Sequence, residues 1–470
     1  MLDLLIRGGR VVTPTGVGEL DIGVQGERIA VVATPGSLTE EASRTIDATG
    51  KLVVPGGVEA HAHAGNAFTP ERSGAEAISL AAIYGGTTMV LDFAQQAPGG
   101  DLVQAIEDSK ERWAGRAYTD YSFHPILMHG ATPEVIAQVG PLVDGGFPTI
   151  KIFTTSMRPD LGGRPSNFID FGRLAEIMEQ VTAHGGMMFV HGEDEDIVQY
   201  NYERAKAFDR WDWPSMHLIH SNLSEDLSFR RVIRLAEHTG VAVYLVHVSA
   251  KEGVNAIADA RSRGLPIYGE TLHNYVTFNA DNYKESNGMK YHTYPSLKFE
   301  DDRLRLWDGL LHGDLSTMAT DVVSTTWAVK IQGRTVADVM GGHNGIETRM
   351  GITYTEGVVK RGMSLERFVA ITSTNPAKLV GLYPRKGAIA SGSDADIAII
   401  DTSIRKKLSM DDLHLEDYSI WEGWEIQGWP VTTILRGKVV LEDGKLQGGP
   451  GDGQLIPRKM TPEVLAGPVC

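Results

Sequence analysis

Eight short apolar runs alternate with amphipathic stretches of helix length through the middle of the chain, such as SEDLSFRRVIRLAEHTG. The runs are LVVPGGVEA, TTMVLDF, YSFHPIL, PTIKIF, GMMFVHG, VAVYLVHV, LPIYGE and LSTMATD. Regular alternation of strands and helices is typical of a parallel α/β fold, and eight such units predict a (β/α)8 TIM-like barrel over residues 55–385. An open, doubly wound sheet is the second interpretation.

The two ends of the chain share a different pattern. Residues 1–54 and 386–447 consist of short runs rich in Val and Ile, separated by Gly-containing turns, which is typical of β-hairpins. We therefore expect both ends to build one small β-sandwich domain beside the barrel. The Gly- and Pro-rich residues 448–470 predict a loosely held C-terminal arm.

Charge and cysteine content exclude several classes of partner. The formal net charge of −16 argues against a nucleic acid or an anionic membrane as partner, because both need basic surfaces. The single cysteine, Cys470, allows no intramolecular disulfide and no cysteine-based metal cluster, which suits a reducing cytoplasm. The first residues do not read as a signal peptide, and no run approaches the ~18 apolar residues of a membrane span.

Side chains of the kinds that bind metals lie in or directly after five of the predicted strands. They are His61, His63, Lys151, His191, His247 and Asp321. The carboxyl ends of parallel barrel strands converge on one face, where barrel enzymes place their active sites. A single histidine or aspartate at such a position is more often structural than a ligand. The coincidence of six predicts a metal site at this mouth.

Several motifs resemble those of the dihydropyrimidinase and hydantoinase branch of the amidohydrolase superfamily, the cyclic amidohydrolases. They include PGGVEAHAHAG, GGTTMVLDF, VHGEDEDIV and TSTNPAKLVGLYPRKGAIASGSDADIAIID, and the similarity covers nearly the whole chain. The resemblance implies two divalent ions per subunit, most often Zn²⁺, with Mn²⁺ or Co²⁺ as alternatives. It also implies a homodimer or homotetramer with a small-molecule substrate.

The resemblance also distributes the ligands. It assigns His61, His63 and Asp321 to one ion, and His191 and His247 to the other. It makes Lys151 the bridge, as an N6-carboxylysine formed with carbon dioxide. An unmodified lysine has only donors and cannot ligate a metal, whereas its carbamate is an anionic oxygen ligand.

The implied activity is hydrolysis of an amide-type C–N bond in a cyclic amide or ureide by a hydroxide that bridges the two ions. Asp321 would accept a proton during attack and pass it to the leaving nitrogen. Two alternatives stay open. The same chemistry could act on a linear amide, an aryl urea or a heterocyclic C–N bond, and some relatives are non-catalytic scaffold proteins that have lost metal ligands.

The predicted substrate pocket departs from the family pattern at three places. Ser156, in KIFTTS, stands where hydantoinases carry a tyrosine, and Tyr294, in YPSLK, stands where they carry a serine. Gly341 aligns with the usual asparagine, although His343 and Asn344 are close by. Ser156, Tyr294 and Asn344 are the candidate substrate contacts. Tyr294 either restores the missing hydroxyl or packs as part of the pocket wall. His343 and Asn344 also fit a simple loop turn.

Overall fold

A computed structural model describes residues 1–65, 73–128, 131–159, 167–415 and 417–470 of the chain. Within these ranges the strands form two sheets of nine strands each. In chain order they are β1 (Leu2–Thr13), β2 (Gly16–Gln25), β3 (Arg28–Ala33), β4 (Ala42–Asp47), β5 (Leu52–Pro55), β6 (Gly57–His63), β7 (Thr87–Gln95), β8 (Asp120–Ile126), β9 (Thr149–Phe153), β10 (Met187–His191), β11 (Ala242–Leu245), β12 (Ile267–Leu272), β13 (Thr317–Ala319), β14 (Val322–Val323), β15 (Ile397–Lys407), β16 (Glu425–Leu435), β17 (Lys438–Glu442) and β18 (Lys445–Leu446).

The parallel sheet closes into a barrel. Strands β6 to β13 lie side by side in chain order, and β14 pairs with β6 on the far side of the ring. Only Thr320 and Asp321 separate β13 from β14, so these two short strands together occupy the eighth position. The predicted barrel and all eight of its strand runs are confirmed. The alternative of an open doubly wound sheet is wrong, because the strand order never reverses and the sheet has no free edge.

The first predicted strand proves to be two strands that belong to different sheets. Strand β5 lies in the chain-end sheet and β6 begins the barrel, with Gly56 between them. A Cβ atom at Gly56 would lie 2.2 Å from Oγ1 of Thr88, so only glycine fits where the chain crosses from one sheet to the other. The apolar run is continuous in the sequence because both strands are buried.

The helices of the described ranges surround the barrel or cover its ends. The longer ones are Ala75–Tyr84, Leu102–Trp113, Phe171–Ala183, Glu195–Ala207, Asn222–Thr239, Lys251–Ser262 and Glu300–His312. Short α-helical turns occupy Pro133–Ile136, Val139–Asp144, Met216–Ile219, His273–Thr277, Trp327–Lys330, Arg349–Thr353, Leu365–Val369, Asn375–Leu379 and Pro462–Ala466. The remaining turns are Trp213–Ser215, Ala280–Lys284, Gly288–Tyr291 and Met410–Asp412 (3-10) and Tyr354–Val359 and Ala370–Thr374 (π). In the part of the chain described, none of the helices combines the length and the apolar character needed to cross a membrane.

Both chain ends contribute to the second sheet, as predicted. Its order is β18, β17, β16, β15, β5, β1, β2 and β3, with β4 also paired to β1. The antiparallel pair of β15 with β5 joins the C-terminal strands to the N-terminal ones at the centre of this sheet. The fold class, a barrel with a small β domain built from both ends, is confirmed.

The C-terminal arm is firmly packed, and the prediction of a loose arm is wrong. Arg458 is buried below the barrel and donates hydrogen bonds to the carbonyl oxygen of Phe123 at 2.5 Å and to Oγ1 of Thr149 at 2.8 Å. The hydroxyl of Tyr268 donates to the carbonyl of Val464 at 2.7 Å. Composition alone suggested mobility, but the arm closes the end of the barrel opposite the strand carboxyl ends.

A buried ion cluster ties the C-terminal segment to the barrel. Nζ of Lys386 lies 2.5 Å from Asp120 at the start of β8, 2.8 Å from Asp394 and 2.6 Å from Asp396. The three carboxylates by themselves have the composition of a cation site. The lysine ammonium already supplies the positive charge, so the cluster is a structural ion pair network.

We expect Lys386→Met to lower the free energy of unfolding by about 3–5 kcal/mol, because the buried carboxylate of Asp396 loses the cation that pairs with it. Asp120 and Asp394 keep ion pairs with arginine side chains. Lys438→Met is the control, since Lys438 pairs with Asp452 at the surface and should change stability by about 1 kcal/mol or less. Urea unfolding of both variants measures the difference. Equal effects of the two substitutions would show that the cluster does not hold the segment.

Candidate metal centre and substrate cavity

One cavity of about 480 Å³ lies at the carboxyl ends of the barrel strands. The residues that line it include all six predicted ligands, which are His61, His63, Lys151, His191, His247 and Asp321. Strands β6, β9 and β10 deliver four of these side chains, and the other two follow β11 and β13. The barrel therefore brings together residues that are up to 260 positions apart in the sequence (321 − 61 = 260).

Three of the ligand-type groups converge on one point. Nε2 of His61 and Nε2 of His63 each lie 3.1 Å from Oδ1 of Asp321. Burial lowers the pKa of His61, but the carboxylates of Asp321 and Glu270 outweigh it and raise this pKa to about 9. The ligand atoms of His61, His63 and Asp321 all lie within 4.8 Å of one another, which suits a divalent ion bound by nitrogen and oxygen.

Glu270 supports this group from below. Its Oε1 lies 2.6 Å from Nδ1 of His61 and accepts a hydrogen bond from the backbone N–H of His247 at 3.1 Å. Its other oxygen accepts from the Tyr244 hydroxyl at 2.8 Å. A carboxylate on the outer ring nitrogen fixes the orientation of a ligand histidine and leaves Nε2 for the metal. We did not predict Glu270, although LPIYGE ends on it and a carboxylate at a strand end was a usable signal.

A second carboxylate holds the histidine of β10. Oε2 of Glu193 lies 3.0 Å from Nε2 of His191, and Oε1 of Glu193 lies 2.8 Å from Nδ1 of His220. Because Glu193 holds Nε2, Nδ1 of His191 is left for the cavity. The ring centroids of His191 and His247 lie 4.4 Å apart. Glu193 stands two residues after His191 and could have been predicted from VHGED, whereas nothing in the local sequence indicated His220.

Lys151 is buried among aromatic rings. Its Nζ lies 5.2 Å from the ring centroids of both Phe93 and Phe153. Within the described ranges no oxygen accepts a hydrogen bond from this Nζ. Burial lowers the pKa of Lys151 to about 8, although the carboxylates of Asp321 and Glu270 oppose the shift. Roughly a tenth of the side chain is therefore the neutral amine at pH 7, far more than for a lysine with an ordinary pKa.

Three residues that line the cavity have a backbone conformation that side chains seldom adopt. Met157, His247 and Asp321 have φ values of 62°, 42° and 49°. Non-glycine residues with positive φ are uncommon, and they persist at functional sites because the surrounding structure holds them. The strand periodicity of the sequence does not predict where these side chains point.

The first candidate substrate contact, Ser156, lines the cavity with its hydroxyl already engaged. The hydroxyl donates to Glu195 and accepts a hydrogen bond from Nε2 of Gln199 at 2.9 Å. The backbone N–H of Ser156 donates to the same carboxylate of Glu195 at 2.8 Å. Ser156 therefore anchors the cavity wall.

Asn344 does not line the cavity, and its proposed contact with substrate has no support in the geometry. Its Oδ1 accepts from the backbone N–H of Thr325 at 2.9 Å, and its Nδ2 donates to the carbonyl of Thr325 at 3.0 Å. Both ends of the amide hold a loop, which corrects its selection as a substrate contact. His343 is buried beside it, and its carbonyl accepts from the N–H of Val323 at 3.3 Å.

Tyr294 forms a wall of the cavity and keeps a polar group there. A Cβ atom at Gly341 would lie 2.3 Å from Cδ2 of Tyr294, so the ring occupies space that only glycine leaves free. Burial raises the pKa of Tyr294 to about 12, and the positive charge of Arg158 opposes this rise. The two departures from the family pattern, at Tyr294 and Gly341, therefore depend on each other, because the tyrosine ring needs the space that the glycine leaves.

Comparison with known proteins agrees with this architecture. The model of the amidohydrolase family matches residues 52–440. A D-hydantoinase of Geobacillus stearothermophilus is 33% identical over 471 residues, covering 98% of each chain. The dihydropyrimidinase of Rattus norvegicus is 32% identical over 475 residues, covering 98% of this chain and 90% of the relative. The crystal structure of the dihydropyrimidinase from Brevibacillus agri matches with a TM-score of 0.91 and 30% identity, covering 97% of this chain and 98% of that one. The chain belongs to the amidohydrolase family, in its branch of hydantoinases and dihydropyrimidinases.

Proposed function

We propose that this protein is a metal-dependent hydrolase that opens a cyclic amide or ureide at an amide-type C–N bond. The observation that carries the proposal is the convergence of six ligand-type side chains on one cavity at the strand carboxyl ends. Full-length similarity to D-hydantoinases and to a dihydropyrimidinase supports a cyclic substrate. The complete ligand set argues against a non-catalytic scaffold protein.

The donor atoms suit two divalent ions. Imidazole nitrogens and carboxylate oxygens are ligands of Zn²⁺, which we propose as the metal, and Mn²⁺ or Co²⁺ would fit the same donors. When bound, two such ions supply an activated water and polarise the substrate carbonyl. His61, His63 and Asp321 would hold one ion, His191 and His247 the other, and the carbamate of Lys151 both.

The surroundings of Lys151 favour its conversion to the carbamate. Its neutral amine adds to carbon dioxide and loses a proton, which yields an anionic oxygen ligand. Burial supports this step, because the low pKa keeps the reactive amine available. The ring faces of Phe93 and Phe153 offer no oxygen that would compete for the charged ammonium.

Asp321 is the proton carrier of the proposed reaction. Burial raises its pKa, but His61 and His63 outweigh burial and hold this pKa well below its ordinary range. The side chain is therefore ionised and ready to accept a proton from the attacking water. It can then deliver that proton to the leaving nitrogen. Both histidine contacts use Oδ1, which leaves Oδ2 for the transfer.

Tyr294 is the proposed hydroxyl donor to substrate. The hydroxyl of Ser156 is engaged by Glu195 and Gln199 and cannot serve without breaking these hydrogen bonds. The Tyr294 hydroxyl lies 3.5 Å from the carbonyl of Val339, a long contact that substrate could displace.

We further propose a homodimer or homotetramer in the cytoplasm. Tyr200, Leu218, Leu223 and Phe299 are exposed apolar side chains that line one groove, a pattern that favours contact with another protein surface. The lone cysteine suits a reducing compartment. A monomeric mass in light scattering would contradict the assembly.

Purified protein should carry two divalent ions per chain, and Lys151→Ala should lose most of this metal because the shared ligand is gone. Short carboxylic acids added in solution should restore part of the metal and activity, since their oxygens can occupy the place of the carbamate. Metal analysis by mass spectrometry measures both effects. A fully loaded and active Lys151→Ala protein would make the lysine a structural residue.

Glu270→Gln should weaken divalent metal binding by about 10–100-fold, as expected when a carboxylate behind a ligand histidine is lost. Glu225→Gln is the matched control, because Glu225 is also buried and accepts hydrogen bonds at Ser249 and Ala250 without touching a ligand side chain. Titration of the metal-free proteins against an indicator chelator measures the affinities. Equal losses in the two variants would point to general destabilisation.

Metal-loaded protein should open hydantoin, dihydrouracil or a substituted derivative, and Asp321→Asn should lower turnover by about 10²-fold or more while keeping most of the metal. Asparagine retains an oxygen ligand but cannot accept the proton. Ring opening is followed by chromatography of the carbamoyl product. Failure of the wild type on all cyclic ureides and imides, with activity on a linear amide or aryl urea, would overturn the cyclic substrate.

A further inference from the structure

The cavity contains a cation that the proposed hydrolysis does not use. Arg158 is half-buried and lines the same cavity as the metal ligands. Arg158 follows β9, the strand that carries Lys151. One strand and its loop therefore supply Lys151 deep in the cavity and Arg158 nearer its rim. Lys151 is 1% exposed at the inner end.

The loop that carries Arg158 is held by a built network. Glu195 accepts hydrogen bonds from the side chain of Thr155 and the backbone of Ser156, both at 2.8 Å. Gln199 donates to the carbonyl of Arg158 at 3.1 Å. The Tyr202 hydroxyl donates to the carbonyl of Met157 at 3.0 Å. These contacts keep the left-handed conformation at position 157 and fix where the arginine side chain starts.

The carboxylates known to line this cavity have other partners. Asp92 accepts from the backbone N–H groups of Ala64 and Phe93 and from Nε1 of Trp113. Asp321 faces the metal site. Among the described residues, none forms an ion pair with the Arg158 guanidinium. Tyr294 lines the same cavity, and the charge of Arg158 opposes the rise in the pKa of its phenol. The lining of the cavity also includes apolar side chains such as Met128, Phe153 and Met340.

We propose that Arg158 and the Tyr294 hydroxyl bind a carboxylate carried by the substrate, so that the preferred substrate is an anionic cyclic ureide or imide. The planar guanidinium presents paired donors that match a carboxylate, and the phenol adds a third. An apolar, partly buried setting strengthens such a contact and disfavours an unpaired guanidinium. The substrate ring would lie between this pair and the metal ligands. This inference rests on the proposed function.

The test uses metal-loaded protein and pairs of substrates that differ only in charge, such as dihydrouracil-6-carboxylate and its methyl ester. The wild type should prefer the carboxylate by about 10–100-fold in kcat/KM, the range of charge-assisted hydrogen bonds. Arg158→Gln should abolish this preference mainly by raising KM for the carboxylate, with a smaller change in kcat/KM for the ester. Arg158→Lys should keep part of it. Arg112→Gln, which changes an exposed arginine of the same cavity, should leave the preference intact.

Equilibrium binding separates this inference from the hydrolytic function. Cyclohexanecarboxylate, which cannot be hydrolysed, should bind the wild type in calorimetry more tightly than cyclohexanecarboxamide, and Arg158→Gln should remove the difference. If the wild type opens neutral and anionic rings equally, the inference is wrong and the hydrolase stands. If Arg158→Gln slows both substrates equally, the arginine only positions Tyr294, and the inference is again wrong. If no ring is opened, the hydrolytic proposal fails, and the calorimetry alone decides whether Arg158 binds a carboxylate.

Discussion

Closure of the barrel is the constraint on which the rest of the site depends. Strand β14 pairs with β6 so that Val322 lies opposite Ala62 and Val323 opposite His63. This pairing sets Asp321 beside His61 and His63 of β6. Asp321 lies between β13 and β14, the two short strands at the eighth position of the barrel. Its left-handed backbone separates these strands and turns the carboxylate into the cavity. Without closure the ligands from the first and last strands would have no common position.

Buried charges below the histidines hold this arrangement together. Glu59 accepts hydrogen bonds from the backbone N–H groups of His61 at 3.0 Å and Thr320 at 3.2 Å, and its other oxygen lies 3.1 Å from Nε of Arg349. Burial raises the pKa of Glu59 to about 7, against the attraction of Arg349. Such pairs contribute little net stability because desolvation is costly, but breaking one is expensive. Their role is to fix the position of the strands that carry the ligands.

The cavity divides its two tasks between different parts of the fold. Strand ends supply the candidate metal ligands, where the closed sheet limits movement, and loops supply the outer wall with Tyr294, Gly341 and Arg158. Tyr294 occupies the space beside Gly341, so a change at either residue alters the shape that the substrate meets. A conserved chemistry with a variable outer wall is the general property of barrels whose loops define specificity.

The sequence by itself determined the barrel, the β domain from both ends and the six candidate ligands. These features depend on local patterns, namely apolar runs and the residue type that follows each run. The assignment of the ligands to individual ions stays a prediction, as do the boundaries at residues 54, 385 and 447. Only the tertiary structure decided that Glu193, His220 and Glu270 stand behind the ligands, that Asn344 holds a loop, and that the C-terminal arm closes the barrel. Each of these depends on contacts between residues far apart in the chain, and a local pattern carries no information about which distant group will arrive to accept a hydrogen bond.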